Sequence, residues 1–262
     1  MHKIFILICV IFYSTHVFCQ VDTLANTISI GYEKIHFDKQ FNADWKTTTL
    51  EYKRKTNLGA LLGRINYAER FNMSGLQFEL EAYPVLSKKI YSYIAFSYSN
   101  DRPVFPKWRT GATLYYTFKP KWEAEGGFRE LYFDKSIWLG NLGVTRYVKS
   151  WIFNLKTFFS LNAVSSSYFF TARKYFTKEK NYAWLLLGNG YSPDERRNIQ
   201  INTKEKLSSR RAELGVKFLI SGNIGFQLSG SYSKDEYILN IFGHQYSAAA
   251  AIFFRFMEPP LH

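Results

Sequence analysis

The sequence predicts an all-β fold: a closed antiparallel transmembrane β-barrel of about fourteen strands, with a count of about twelve left open. Short periplasmic turns and longer extracellular loops are expected to join the strands. Three observations carry this reading. Apolar and polar residues alternate with period two through most of the chain. Aromatic residues make up 19% of the 262 positions, with 24 Phe, 19 Tyr and 6 Trp. Beyond the first twenty or so residues no continuous apolar run approaches the length of a spanning helix. A barrel whose outer face meets lipid needs greasy and polar side chains in strict alternation, so a chain that is hydrophilic on average can still cross a bilayer.

The clearest alternation lies between Gly59 and Pro84. Leu61, Ile65 and Tyr67 fall on one face, against Arg64, Asn66 and Arg70 on the other. After a turn placed at Asn72-Met73-Ser74-Gly75 the parity switches: Leu76, Phe78, Leu80 and Ala82 oppose Gln77, Glu79, Glu81 and Tyr83. The same rule, with breaks at turn residues, predicts strands near 26–36, 45–56, 58–70, 74–83, 90–99, 109–118 and 121–133. The second half continues at 137–147, 150–161, 165–176, 182–190, 205–219, 223–234 and 246–256. Trp151, Phe153, Leu155 and Phe159 alternate with Asn154, Lys156 and Ser160; Ala212, Leu214, Val216 and Phe218 with Arg211, Glu213 and Lys217. The segments 90–99 and 137–147 alternate less cleanly. The last strand sets Tyr246, Ile252, Phe254 and Phe256 to one side, an aromatic-x-aromatic ending that resembles the signal read by the barrel-assembly machinery.

The linkers sort by length. Those near 37–44, 100–108, 191–204 and 235–245 are long and fall on one side of the sheet. Those at Thr56-Asn57-Leu58, Lys119-Pro120-Lys121, Val148-Lys149-Ser150 and Ser221-Gly222-Asn223 are tight and fall on the other.

Residues 1–19 read as a secretory leader: a basic Met1-His2-Lys3, an apolar Ile4 to Tyr13, and a Val17-Phe18-Cys19 cleavage pattern. Residues 20–262 then form a single barrel domain in the outer membrane of a Gram-negative cell. Cleavage removes Cys9 and Cys19, which excludes a disulfide, a thiol nucleophile or a cysteine metal site from the mature chain. Only one charge, Lys3, leaves with the leader, so the basic balance of +13 is nearly preserved. That balance suits anionic partners such as lipopolysaccharide or an acidic sugar. Nucleic acid is not expected for an exported chain, and no RRM, zinc-finger or helix-turn-helix pattern is present.

The blocks RINYAERF (64–71), GLQFELEAYP (75–84), FPKWRTGATLYY (105–116), EAEGGFREL (123–131) and NGYSPDE (189–195) resemble the YaiO-type outer-membrane β-barrel family of Gram-negative bacteria, in its Bacteroidetes form. The resemblance implies one outer-membrane barrel and carries no catalytic residues or cofactor onto this chain.

Turn geometry sets a register for the inward face. The turn at 56–59 places Glu51 opposite Arg64, and the turn at 70–74 places Arg64 near Glu79 or Glu81. The turn at 119–121 brings Glu123 and Glu125 beside Thr117 and Tyr115, with Arg129 further along. Such pairs can brace the wall, form a solute-selecting constriction, or, less specifically, supply an acid and a base. His36 and His244 are expected close together on the extracellular rim, with Asp38, Asp235 and Glu236 nearby. Both histidines have lipid-facing parity, so contact with headgroups is the plain expectation. A rim hydrolase would need Ser233 or Ser247 beside one of them. The loop YSPDERRNIQINTK (191–204) carries Arg196, Arg197 and Lys204 and reads as a solvated loop or a contact for an anionic surface sugar. No metal site or cofactor is expected, since GxSxG, HExxH, Walker and Rossmann patterns are absent. The function expected is a monomeric, non-enzymatic barrel: a narrow channel or surface accessory for anionic or saccharide solutes. A lipid-modifying rim enzyme and a purely structural, plugged barrel are the alternatives.

Overall fold

The computed structural model describes residues 25–161, 165–177, 181–191 and 207–257. They form fourteen strands: β1 (Ala25–Phe37), β2 (Trp45–Thr56), β3 (Gly59–Arg70), β4 (Met73–Pro84), β5 (Ile90–Tyr98), β6 (Trp108–Lys119) and β7 (Trp122–Tyr132). The second half adds β8 (Ser136–Val148), β9 (Trp151–Ser160), β10 (Ser166–Thr177), β11 (Asn181–Tyr191), β12 (Ser208–Leu219), β13 (Ile224–Ile238) and β14 (Ile241–Met257). Each strand pairs antiparallel with its neighbours in sequence, and β1 closes the cylinder against β14, from Ala25↔Met257 to Phe37↔Gln245. Closure removes both sheet edges, so no backbone ladder is left unpaired toward lipid. Fourteen strands replace the open choice between twelve and fourteen.

The faces follow the alternation. On β4, Phe78 and Leu80 are 52% and 65% exposed, whereas Glu79 and Glu81 are 6% and 8% exposed. Ile28, Ile30, Leu50, Leu61, Leu114, Leu142, Leu155, Leu214 and Ile252 are likewise exposed on the outside. An apolar belt of this extent is untenable in water and is what hydrocarbon requires. Tyrosine and tryptophan mark both ends of the belt. Trp108 stacks on Tyr132 at one end, with ring centroids 3.8 Å apart. At the other, Arg146 lies over Trp122 and Lys174 over Trp151, at 4.8 and 5.0 Å. Such amphipathic rings with cations beside them suit the headgroup level.

Three connections at one end are long, 38–44, 99–107 and 192–207, while those at the other end, the turns at 57–58 and 120–121 among them, are five residues or fewer. Two expectations about connections are corrected. The β3–β4 turn centres on Phe71-Asn72, two places earlier than predicted; both residues take φ of 57°, the left-handed pair of a two-residue hairpin, so Met73 already belongs to β4. The stretch 235–245 is not a long loop. β13 and β14 run on to Ile238 and from Ile241, joined at Leu239-Asn240, with Asn240 at φ 62°. The carboxylate of Glu236 accepts from the Asn240 and Ser208 amides, at 2.6 and 2.9 Å, which secures this projecting hairpin.

Two of the long connections fold inward. Phe41 packs edge-to-face on Phe37 and Phe71 and tilted against Trp45 at the long-loop end. Val104 and Phe105 are 2% and 5% exposed and pack on Ala68 of β3. The guanidinium of Arg70 lies between the two clusters, 5.7 Å from the Trp45 ring and 5.0 Å from that of Phe105, and donates to the Val104 carbonyl at 3.1 Å. Gly75 is needed beneath this loop: a Cβ there would meet the Cβ atoms of Asp101 and Val104 at 2.7 and 2.9 Å.

Candidate functional site: a charged and aromatic lumen

The inner wall from β2 to β9 carries the ladder that the turns predicted. Glu51, Arg64 and Glu79 stand side by side on β2, β3 and β4. Arg64 donates Nε to Glu51, and its Nη1 donates to Glu79 and, at 2.9 Å, to Glu81. One guanidinium thus serves three carboxylates, with both Glu79 and Glu81 bonded rather than one of them. Arg109 on β6 contacts the other oxygen of Glu79 at 2.6 Å. The hydroxyl of Tyr93 donates to Glu81 at 3.0 Å.

The ladder continues around the wall. Glu125 sits opposite Tyr115, as predicted, and accepts from Lys156 at 2.7 Å and from Asn154 at 3.0 Å. Glu123 stands opposite a bulge at Thr117-Phe118 rather than in a one-to-one pair with Thr117. The β6–β7 register shifts by one residue between Tyr116 and Lys119, next to a turn with Lys121 at φ 70°, while the Thr117 amide extends the β5–β6 ladder to the Lys89 carbonyl at 2.8 Å. Glu123 accepts from Tyr91 at 2.9 Å, and the Tyr91 and Tyr115 rings stack 4.4 Å apart. Arg129 lies 6.0 Å from the Phe158 ring. Arg109 and the Tyr91–Tyr93 pair are the site residues that the sequence reading left out. The alternation over 90–99 is less clean, and the β4–β5 connection of five residues did not fix which acids they would meet.

The opposite wall is different in kind. Gly31, Ala251 and Gln227 share one level, and Glu33, Ala249, Ser229 and Gly215 another. Larger groups on this side gather in two places. Glu213 accepts from Trp184 at 3.1 Å and from Arg211 at 2.7 Å. Lys217 lies 4.4 Å over the Phe253 ring and within electrostatic range of Lys53, Arg173, Arg255 and Glu51. Against the β5–β9 wall the lumen holds a cavity of about 210 Å³.

At the rim, β1 and β14 bring the two histidine segments together: the Asp38 amide donates to the His244 carbonyl at 3.1 Å, and the His244 amide to Asp38 at 2.6 Å. The imidazoles have separate partners. His36 Nδ1 meets Asp44 at 2.8 Å, and His244 Nδ1 meets the Tyr232 hydroxyl at 2.7 Å. Hydrogen bonds from Lys34, then His36, hold the Asp44 carboxyl below its usual range. Ser233 faces the lumen and donates to Asp235 at 2.6 Å, and Ser247 bonds Ser231 at 2.7 Å. The serines and histidines therefore stand on opposite faces of the wall, and the Ser–His pairing a rim hydrolase needs is not formed by either serine. Among the described residues no group of three His, Cys, Asp or Glu is placed to hold a metal. Arg196, Arg197 and Lys204 lie outside the described residues.

Solved structures share this architecture. The outer membrane protein Omp33 of Acinetobacter baumannii aligns at TM-score 0.54 and 10% identity, over 90% of this chain and 100% of its own. A bacterial polysaccharide outer membrane secretin aligns at 0.52 and 10%, over 90% and 100%. OpdQ of Pseudomonas aeruginosa aligns at 0.50 and 7%, over 90% and 99%. At these identities the likeness is one of fold. Comparison with curated proteins gives no match. The model of the YaiO membrane beta barrel domain matches residues 25–195, well over half of the chain. With the closed, apolar-jacketed barrel seen here, that match makes this chain a member of the YaiO membrane β-barrel family.

Proposed function

We propose that this protein is a monomeric outer-membrane barrel without enzymatic activity, giving small polar solutes, anionic or saccharide, a narrow path through the membrane. The carrying observation is the lining of the cylinder: ionised and phenolic side chains on β2–β9 facing a wall on β13, β14 and β1 rich in glycine, alanine and serine, inside an apolar jacket. Long side chains on one half narrow the lumen; small ones on the other keep it from filling. The long loops face outward and both termini lie on the periplasmic side. The leader-like pattern of residues 1–19 supports export by that route, and the basic chain suits lipopolysaccharide around the barrel. The test is conductance of the purified barrel in planar bilayers, with reversal potentials in a salt gradient. Small, resolved conductance steps with a charge preference agree with the reading; a flat trace from correctly folded protein contradicts it.

A second reading, a lumen closed at its outer end, is favoured by one feature: the inward-folded 38–44 and 99–107 segments with their Trp45, Phe41, Val104 and Phe105 contacts. A silent wild-type barrel that conducts once 99–107 is shortened supports closure by that loop.

A further inference from the structure

The cavity in the β5–β9 wall has a surface unlike the ladder behind it. Arg109, Arg129 and Lys156 line it together with Tyr93, Tyr115 and Asn141, and no carboxylate does. Glu79 and Glu125, which balance Arg109 and Lys156, contact those cations outside the lining, at 2.6 and 2.7 Å. What the cavity offers a ligand is therefore a surface of donors.

A second, independent feature points the same way. Asn141 is only 4% exposed; its oxygen accepts from Thr113 at 3.4 Å, while its Nδ2 makes no hydrogen bond within the protein. A buried amide of this kind calls for an acceptor. The Phe158 ring also lines the cavity, with Lys156 Nζ 5.4 Å and Arg129 6.0 Å from its centroid. An aromatic face flanked by cations and an orphan amide donor match a sugar ring that also carries an acid group. The ring's C–H face lies on Phe158, a hydroxyl accepts from Asn141, and the carboxylate meets the planar fork of an arginine. The volume is small beside the roughly 300–1,000 Å³ of drug-sized sites, so it admits one ring.

We propose that this cavity binds a single anionic pyranose of the hexuronate class. The proposal deepens the reading of the lumen as a solute path and rests on it for its physiological meaning. Its test does not depend on conduction. Isothermal titration of the folded, detergent-solubilised full chain with galacturonate, glucose and acetate is expected to show saturable binding of galacturonate, with glucose and acetate each at least about tenfold weaker. Asn141→Leu and Arg129→Gln, each checked for native migration before and after heating, are expected to weaken galacturonate binding about tenfold or more. Equal binding of glucose overturns the role of charge; equal binding of acetate overturns the role of the sugar ring. No saturable galacturonate binding up to about 10 mM, or unchanged affinity in a folded variant, overturns the site. Binding without conductance would remove the conduit and leave the site; conductance without binding would do the reverse.

Discussion

Arg64→Met is the most searching perturbation of the ladder. Arg64 is the cation that Glu51, Glu79 and Glu81 share. Glu79 and Glu81 have side chains 6% and 7% exposed, and Glu51 23%. Methionine keeps the aliphatic stem and removes the charge. Glu79 then retains Arg109, and Glu81 retains the Tyr93 hydroxyl, but Glu81 and Glu51 lose the guanidinium bonded to them. Removing one partner of a buried pair costs about 3–5 kcal/mol, chiefly through the uncompensated charge left behind. Lumen water reaches a quarter of Arg64, which places the expected loss near the lower end, about 3 kcal/mol. The assay is reversible guanidinium unfolding of the barrel in lipid, followed by tryptophan fluorescence. Adding Glu51→Gln and Glu81→Gln to Arg64→Met should recover most of the loss, because no stranded charge then remains. A loss below about 1 kcal/mol, or a triple variant no better than the single one, refutes the view that this ladder braces the wall.

Three further outcomes are expected. Leu80→Arg places a charge on the lipid face of β4 and should cost about 2–4 kcal/mol in the same unfolding assay, whereas a soluble barrel would tolerate it. Gly75→Val drives a side chain into Asp101 and Val104 and should lift the 99–107 segment; faster proteolysis of that segment, with the barrel itself intact, is the readout. The Asp44 carboxyl is held below its ordinary value, so its contribution to the 38–44 segment is present at neutral pH and is lost as pH falls below about 4, through the depressed value. Amide exchange of residues 38–44, corrected for intrinsic rates, should be less protected at pH 3 than at pH 6, and Asp44→Asn should remove the difference.

Much of this could be read from the chain because the physics of a barrel wall is local. Period-two alternation tells strand from loop and inside from outside at once, so Leu80 and Glu79 announce their faces without tertiary knowledge. The Glu51–Arg64 pairing was legible because a tight turn leaves little freedom, whereas across the next turn, misplaced in the sequence reading, the choice between Glu79 and Glu81 stayed open. Where a connection is longer, the offset is lost: Arg109 meets Glu79 across β4, β5 and β6, and no local rule fixes that distance. The 235–245 stretch misled for a chemical reason. Asp235, Glu236, Asn240 and Gly243 are loop-forming residues by composition, yet here Glu236 caps the hairpin and Asn240 supplies its turn. The inward fold of 38–44 and 99–107 left no periodic trace at all; it rests on Phe41, Val104 and Phe105 finding Trp45, Phe71 and Ala68 across the end of the barrel.

The two walls make the lumen eccentric, and that has an electrical consequence under the conduit reading. Barrels of eight strands are filled by their own side chains, and those of sixteen hold open water. At fourteen, filling depends on where the long side chains are put. Here the arginines, glutamates and tyrosines of β2–β9 occupy one side, and Gly31, Ser229, Ala249 and Ala251 leave room on the other. Near the short-turn end Lys217, Arg173 and Arg255 face a wall that carries Glu51, Glu81 and Glu123, with Lys53 beside Glu51 on β2. The field there runs across the path rather than along it. A neutral solute can follow the small-residue wall with little to hold it, whereas one with separated charges must turn to align. Charge arrangement, more than girth, then sets how long a solute stays.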